Sequence, residues 1–176
     1  IAPWIIFIKN GEYEELVTVP ESKPFIHLIG QDRDKTIISF WINNGGTTDK
    51  GWEYSTNNPA SATYGKSGVF ELRASDFYAE NISFIDSYGV ETQNGPMGQA
   101  MNSRSDRASF NNCAFRSFQD TWYTNIQTPS YRHYINNCFI EGAVDFFYGQ
   151  GEIYVENTTF NLVRDGSVIT APGHKP

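Results

Sequence analysis

The chain has 176 residues, about one domain at roughly 150 residues per domain, with 13 Lys and Arg against 20 Asp and Glu and a formal charge of −7. Its 39% hydrophobic residues, 15 Gly and 27 aromatics (4 Trp, 10 Tyr and 13 Phe) place it among folded globular chains rather than disordered ones. An acidic balance without a Lys/Arg cluster lacks the electrostatic term that dominates nucleic-acid affinity, and the apolar run at residues 1–8 is far short of the roughly 20 residues of a membrane-spanning helix, so neither partner is expected.

Helical periodicity is scarce, whereas short β-branched and aromatic runs bounded by Gly, Asn, Asp and Ser recur. Strands are predicted at Ile5–Ile8, Leu16–Val19, Phe25–Ile29 and Thr36–Phe40, followed by an excursion loop at about 43–68, rich in Gly, Thr, Asn and Ser. Four later runs align with Asn third in each: Ala79–Phe84, Phe110–Phe115, Ile135–Ile140 and Val155–Phe160. Asn81, Asn112, Asn137 and Asn157 are spaced by 31, 25 and 20 residues, within the period range of solenoids.

A unit of strand, turn and strand without intervening helices predicts an all-β fold, a right-handed single-stranded parallel β-helix whose coils pair with their neighbours at about 4.8 Å. The asparagines then form a ladder at one turn, their amides bonding along the stack. Neither end shows a cap, so the chain reads as one incomplete β-helix domain over residues 1–176, truncated at both ends. No signal peptide is present in it.

Eight residues after Asn112 stands Asp120, and eight after Asn137 stands Asp145. Equal phase puts these carboxylates one above the other on successive coils, where both cannot easily ionise; one pKa should rise, as an acid and nucleophile pair requires. Turn capping is the alternative role. The aromatic surroundings, Phe118-Gln-Asp-Thr-Trp-Tyr123 and Val144-Asp-Phe-Phe-Tyr148, favour a groove able to stack on sugar faces. Asp165 shares the phase after Asn157 but sits in a turn-like sequence and is not expected to act directly.

Five ordered blocks, Gly11-Glu-Tyr-Glu-Glu15, Leu28-Ile-Gly-Gln31, Gly95-Pro-Met-Gly-Gln-Ala100, Phe118-Gln-Asp-Thr121 and Gly142-Ala-Val-Asp-Phe-Phe-Tyr-Gly149, resemble those of the pectin methylesterases (pectinesterases), and the likeness runs to Gly173. The resemblance implies a right-handed parallel β-helix and metal- and cofactor-free hydrolysis of galacturonosyl methyl esters. It assigns Asp145 as nucleophile, Asp120 as general acid and then base, and Gln99 and Gln119 as oxyanion-stabilising amides, with Val144, Tyr123, Phe146 and Tyr148 as groove residues. It further implies pectin (methyl-esterified homogalacturonan) as partner, a monomer, and a secreted or periplasmic location.

Two departures stand out. The family's usual Gly-Thr-Val-Asp-Phe-Ile-Phe-Gly is here Gly-Ala-Val-Asp-Phe-Phe-Tyr-Gly, and the family's Gly-Arg-Pro-Trp block is expected beyond Pro176. Its arginine would keep the nucleophile ionised, so the 176 residues alone are expected to be inactive or poorly folded.

Cys113 and Cys138 each follow a ladder asparagine and should stack; a disulfide and two buried thiols are both open, and no zinc spacing occurs. Asn81-Ile-Ser83 and Asn157-Thr-Thr159 are glycosylation acceptors if the source has a eukaryotic secretory route. Three competing readings remain. A polygalacturonan glycosidase would also use paired carboxylates but has no oxyanion for the glutamines. A calcium-dependent lyase would need more clustered carboxylates. A silent carbohydrate-binding solenoid would not need the acid and nucleophile. Serine-hydrolase chemistry is disfavoured, since no Gly-x-Ser-x-Gly occurs and His27, His133 and His174 read as ordinary strand or surface residues.

Overall fold

The computed structural model describes residues 2–43, 68–124 and 131–173. Apart from its two end residues, the predicted excursion loop lies outside them. The described chain winds through six coils. The first holds β1 (Trp4–Ile8), β2 (Gly11–Glu14) and β3 (Val17–Val19), and the second β4 (Ile26–Gly30), β5 (Thr36–Phe40) and β6 (Gly68–Leu72). The third holds β7 (Phe77–Glu80), β8 (Ser83–Asp86), the short helix α1 (Ser87–Thr92) and β9 (Gln99–Ser103). The fourth holds β10 (Ala108–Asn111), β11 (Ala114–Arg116) and β12 (Trp122–Thr124), and the fifth β13 (Arg132–Asn136), β14 (Phe139–Gly142) and β15 (Phe147–Gly149). The sixth holds β16 (Glu152–Glu156), β17 (Thr159–Leu162) and β18 (Thr170–Pro172).

Each coil contributes one strand to each of three six-stranded sheets, in the orders β1-β4-β7-β10-β13-β16, β2-β5-β8-β11-β14-β17 and β3-β6-β9-β12-β15-β18. The named strand pairs are all parallel, as stacking of coils demands. The coil therefore has three strands rather than the two expected from the Asn-centred repeats, because the corner before the third strand, Asp120 in the fourth coil and Asp145 in the fifth, carries no shared Asn. The short α1 is a second departure. Its run Ser-Tyr-Gly-Val-Glu-Thr has no helical stripe, and Asp86 at its N-cap, accepting from the Tyr88 and Gly89 N–H groups, is what holds the turn together.

Each aligned run is really two strands meeting at a corner. Asn81, Asn112, Asn137 and Asn157 occupy those corners with φ of +59°, +49°, +54° and +50°. Asn tolerates this left-handed conformation better than other side chains with a Cβ, which accounts for the repeat. The ladder is less regular than expected. Asn112 Nδ2 donates to Asn81 Oδ1 at 2.7 Å, but the next rungs run through neighbours, from Asn136 Nδ2 to Asn111 Oδ1 and from Asn157 Nδ2 to Asn136 Oδ1, both at 3.0 Å.

Inside the coils, alternate side chains fill the lumen. Phe84 stacks on Phe115 with centroids 5.3 Å apart, and Trp122, fully buried, stacks on Phe147 at 5.5 Å and meets Phe110 and Phe115 edge-on. The lumen is tight enough that backbone itself is the neighbour at some glycines. A Cβ at Gly149, whose φ is +113°, would lie 2.2 Å from the Thr124 carbonyl oxygen. Cys113 and Cys138 are free and buried. They stack as predicted, with Cys113 N–H directed at Cys138 Sγ at 3.3 Å, and Thr158 Oγ1 takes the place of sulfur on the next coil by accepting from Cys138 N–H at 3.1 Å. Burial pushes the Cys113 thiol up, so neither stacking nor exposure makes it reactive.

Candidate active site

The candidate residues gather at the entrance to the third sheet. Its register pairs Met101 with Trp122 and Trp122 with Phe147, and Gln119 is bridged in parallel to Val144. Reading the register back two residues sets Gln99, Asp120 and Asp145 one above another on three coils. The backbone ladder continues through them, with Asp120 N–H donating to Val144 O at 3.0 Å and Gly98 N–H to Gln119 O at 3.3 Å. The phase argument for the two aspartates thus corresponds to the register of the fold.

Both aspartates have positive φ, +58° at Asp120 and +47° at Asp145. Asp, like Asn, accepts this conformation, and it turns the chain sharply from the second sheet to the third. Asp120 is only 4% exposed, while Asp145 is half-buried. Burial first, and the charge of Asp145 second, push the Asp120 carboxyl up from 3.8 to about 7. A carboxyl so placed holds its proton into the neutral range, which suits a general acid.

Gln99 is fully buried; its Oε1 accepts from Asn102 Nδ2 at 2.8 Å, while its Nε2 has no hydrogen-bond partner among the described residues. An unsatisfied buried donor costs about 1–3 kcal/mol, so the Gln99 amide is left with capacity for one more acceptor. Gln119 is half-buried beside Gly95, where a Cβ would come 3.2 Å from Gln119 Oε1.

The aromatic residues divide between groove and lumen. Tyr123 and Tyr148 point outward from β12 and β15 and stack at 4.9 Å with an 18° tilt beside the carboxylates. Val144, half-buried, lies next to them. Phe146 does not belong to the groove: it is fully buried, packs against Phe160, and would collide with a Cβ at Gly142. The register explains the correction, because the turn at Asp145 sends residue 146 inward. Trp122 and Phe118, expected among the walls, are likewise buried. Asp165 is an exposed turn residue.

A hollow of about 180 Å³ adjoins the tyrosines, lined by Tyr148, Gln150, Thr170 and Pro172 among others. A larger one of about 330 Å³ lies on the outer face of the second sheet against Arg33, Arg116 and Phe139, and neither aspartate lines either hollow. Size alone would choose that hollow; the carboxylate pair and the unpaired amide choose the third-sheet entrance. Among the described residues no group of three or more His, Cys, Asp or Glu side chains is placed to hold a metal ion, and no helix is long and apolar enough to cross a membrane.

His133 is buried on β13 with Nε2 2.9 Å from Ser103 Oγ. Serine and histidine thus do meet, which the sequence did not show, but both are sealed in the lumen away from any groove. Burial drops the His133 pKa to about 4, so it stays neutral and structural. His27 packs on Tyr78 at the surface of the first sheet, and His174 lies outside the described residues. The sequence reading also passed over Asp86, Ser117 and Tyr88, which lie directly behind the glutamines; a lone Asp before a six-residue helix carries no motif.

Three parallel six-stranded sheets wound from stacked coils define the class as a parallel β-helix, with an in-register carboxylate pair and a buried amide at the entrance to the third sheet. The pectinesterase family model matches residues 2–175, and the chain belongs to that family. It is 33% identical to pectinesterase 4 of Arabidopsis thaliana over 97% of its length, covering 26% of that protein. Its fold superposes on pectin methylesterase from carrot with a TM-score of 0.80 and 27% identity, over 99% of this chain and 50% of that one. A pectin methylesterase solved with a bound hexasaccharide gives a TM-score of 0.76 and 25% identity, over 97% of this chain and 52% of that one. The chain therefore spans about half the length of the solved relatives and about a quarter of pectinesterase 4, and the right-handed parallel β-helix expected from the repeats is its fold.

Proposed function

We propose that these residues form the core of a reaction centre that hydrolyses methyl esters of galacturonosyl residues in pectin, outside the cell. Asp145 attacks the ester carbonyl carbon and a tetrahedral oxyanion develops, which in this reading accepts from the amide N–H groups of Gln99 and Gln119. Asp120 gives its proton to the departing methoxide, leaving methanol and an acyl-enzyme anhydride on Asp145. The ionised Asp120 then takes a proton from water as its oxygen attacks the galacturonosyl carbonyl of the anhydride, restoring Asp145 as carboxylate and releasing galacturonic acid, which loses its proton to solvent.

The observation that carries this reading is the in-register pair itself, one member of which is pushed up to about 7 by burial and by the other's charge. Two environments that split two carboxylates are what an acid and a nucleophile need. Tyr123 and Tyr148, half-buried and stacked on one another, form an aromatic surface on the third sheet against which pyranose C–H groups can pack.

The test is product analysis on highly methylated homogalacturonan, using the protein in its natural reading frame, since the chain spans 50% of the carrot enzyme it superposes on. Methanol and acid appear while the polymer keeps its length. Shortening of the polymer without methanol would replace this reading with glycosidase chemistry, and binding without either product would make the protein a carbohydrate-binding solenoid.

A further inference from the structure

Asp86 is a fully buried carboxylate that the proposed chemistry does not use. It ends β8, and three elements converge on it. Its Oδ1 accepts from Tyr88 N–H at 3.2 Å and from Ile42 N–H at 3.4 Å, and its Oδ2 accepts from Gly89 N–H at 3.2 Å and meets Ser117 Oγ at 2.8 Å. Ser117, on the fourth coil two residues before Gln119, also reaches the Gly98 carbonyl oxygen at 2.7 Å. Gly98 immediately precedes Gln99.

Crowding shows that this junction is built. A Cβ at Gly98 would fall 2.2 Å from Asp86 Oδ2, and one at Gly89 would fall 2.3 Å from Ser117 Oγ and 2.6 Å from Phe118 N. Neither position accommodates a side chain without displacing backbone. A second branch runs through α1: the Tyr88 hydroxyl donates to Gly95 O at 2.8 Å, and Gly95 is the residue against Gln119 Oε1.

The proton count gives the junction a direction. Ser117 has one hydroxyl proton and two acceptors, Asp86 Oδ2 and Gly98 O. With Asp86 ionised, the one Ser117 proton is shared between two acceptors; with Asp86 protonated and donating to Ser117 Oγ, which then donates to Gly98 O, both short contacts are full hydrogen bonds. Burial favours that neutral form, pushing the Asp86 carboxyl up to about 7 despite its donors.

We propose that Asp86 is a positioning residue that, through Ser117 and Gly98 on one side and Tyr88 and Gly95 on the other, sets the placement of both oxyanion-stabilising glutamines. The inference rests on the esterase reading for its catalytic consequence, but the placement of the amides can be read without it. A misplaced donor loses its transition-state contact more than its substrate contact, so the loss falls on kcat.

Variants separate positioning from helix capping. Asp86→Ser retains an N-cap oxygen but is too short to reach Ser117; Asp86→Asn keeps the Oδ1 acceptor for Tyr88 N–H, gives up the acceptor for Gly89 N–H, and can donate to Ser117 as the protonated acid does. Ser117→Ala and Tyr88→Phe cut one branch each and leave the cap intact. In the chain in its natural reading frame, Asp86→Ser and Ser117→Ala should lower kcat for methanol release by about tenfold with KM within about twofold, while Asp86→Asn stays within about twofold on both. In ¹⁵N-labelled protein, Ser117→Ala should shift the side-chain NH₂ resonances of Gln99, and Tyr88→Phe those of Gln119, with thermal midpoints showing which variants are folded. If the parent protein releases no methanol, the esterase reading fails and the resonances alone decide the positioning. Unmoved resonances in folded Ser117→Ala and Tyr88→Phe, or a kcat for Ser117→Ala equal to the parent's, overturn it.

Discussion

Replacing Asp120 with Asn removes one charge from the stacked pair while keeping the side chain's shape, and its effect on stability is calculable. The rise from 3.8 to about 7 corresponds to roughly 4 kcal/mol at ~1.4 kcal/mol per tenfold change in proton affinity. Because the folded-state pKa lies above that of the unfolded chain, the native state holds an extra proton between the two values. Its stability is therefore greatest at low pH and declines as pH rises from about 4 to about 7. Water reaching the groove softens the penalty, so a loss of ~2–4 kcal/mol is expected over that window. Asp86, also raised to about 7 by burial, adds a decline of the same sign, but it is common to the parent and the Asp120→Asn variant. Their difference in urea unfolding free energy should be near zero at pH 4 and grow to ~2–4 kcal/mol in the variant's favour at pH 8. The same substitution should cost about 10²- to 10⁴-fold in methanol release, the range for loss of a general acid and base. Parallel pH profiles for parent and variant would show that Asp120 is not held protonated, and the acid role would fall with it.

Removal of either glutamine amide, by Gln99→Ala or Gln119→Ala, should lower kcat by about 10²-fold, or ~3 kcal/mol, with smaller changes in KM; a loss below threefold would deny that residue an oxyanion role. Thiol titration should find Cys113 and Cys138 unreactive in the native protein and both reactive in denaturant, and absence of two thiols on unfolding would contradict the free pair. Gly149→Ala must place a Cβ 2.2 Å from a carbonyl oxygen at φ +113°, so a destabilisation of at least ~2 kcal/mol in urea is expected; a smaller one would mean that the β12–β15 packing is looser than described.

Several features were legible before any tertiary structure. The Asn-centred repeats fixed the solenoid class because the left-handed corner of each coil selects Asn locally, and a local conformational demand leaves its trace in sequence. The same logic made Asp120 and Asp145 visible, since each combines a left-handed turn with a constant offset from the corner. Cysteine stacking followed from that phase as well, although only the fold chose free thiols.

Other features depend on which way a side chain points after the chain has turned, and composition carries no record of that. Phe146 and Tyr148 sit in one aromatic run, yet the turn at Asp145 buries the first among Phe160 and the lumen and leaves the second on the surface against Tyr123. The third strands of the later coils, β12 and β15 among them, went unseen because they are only three residues long and the corner before each is an Asp rather than the shared Asn. Asp86 is the extreme case: its partners Ile42, Gly89 and Ser117 come from three coils, and only their convergence turns an isolated aspartate into a buried junction. Sequence alone determined the solenoid, the stacked carboxylates and the acid balance; tertiary structure decided which groups face the groove, because inward and outward are set by register between coils and not by the order of residues along any one of them.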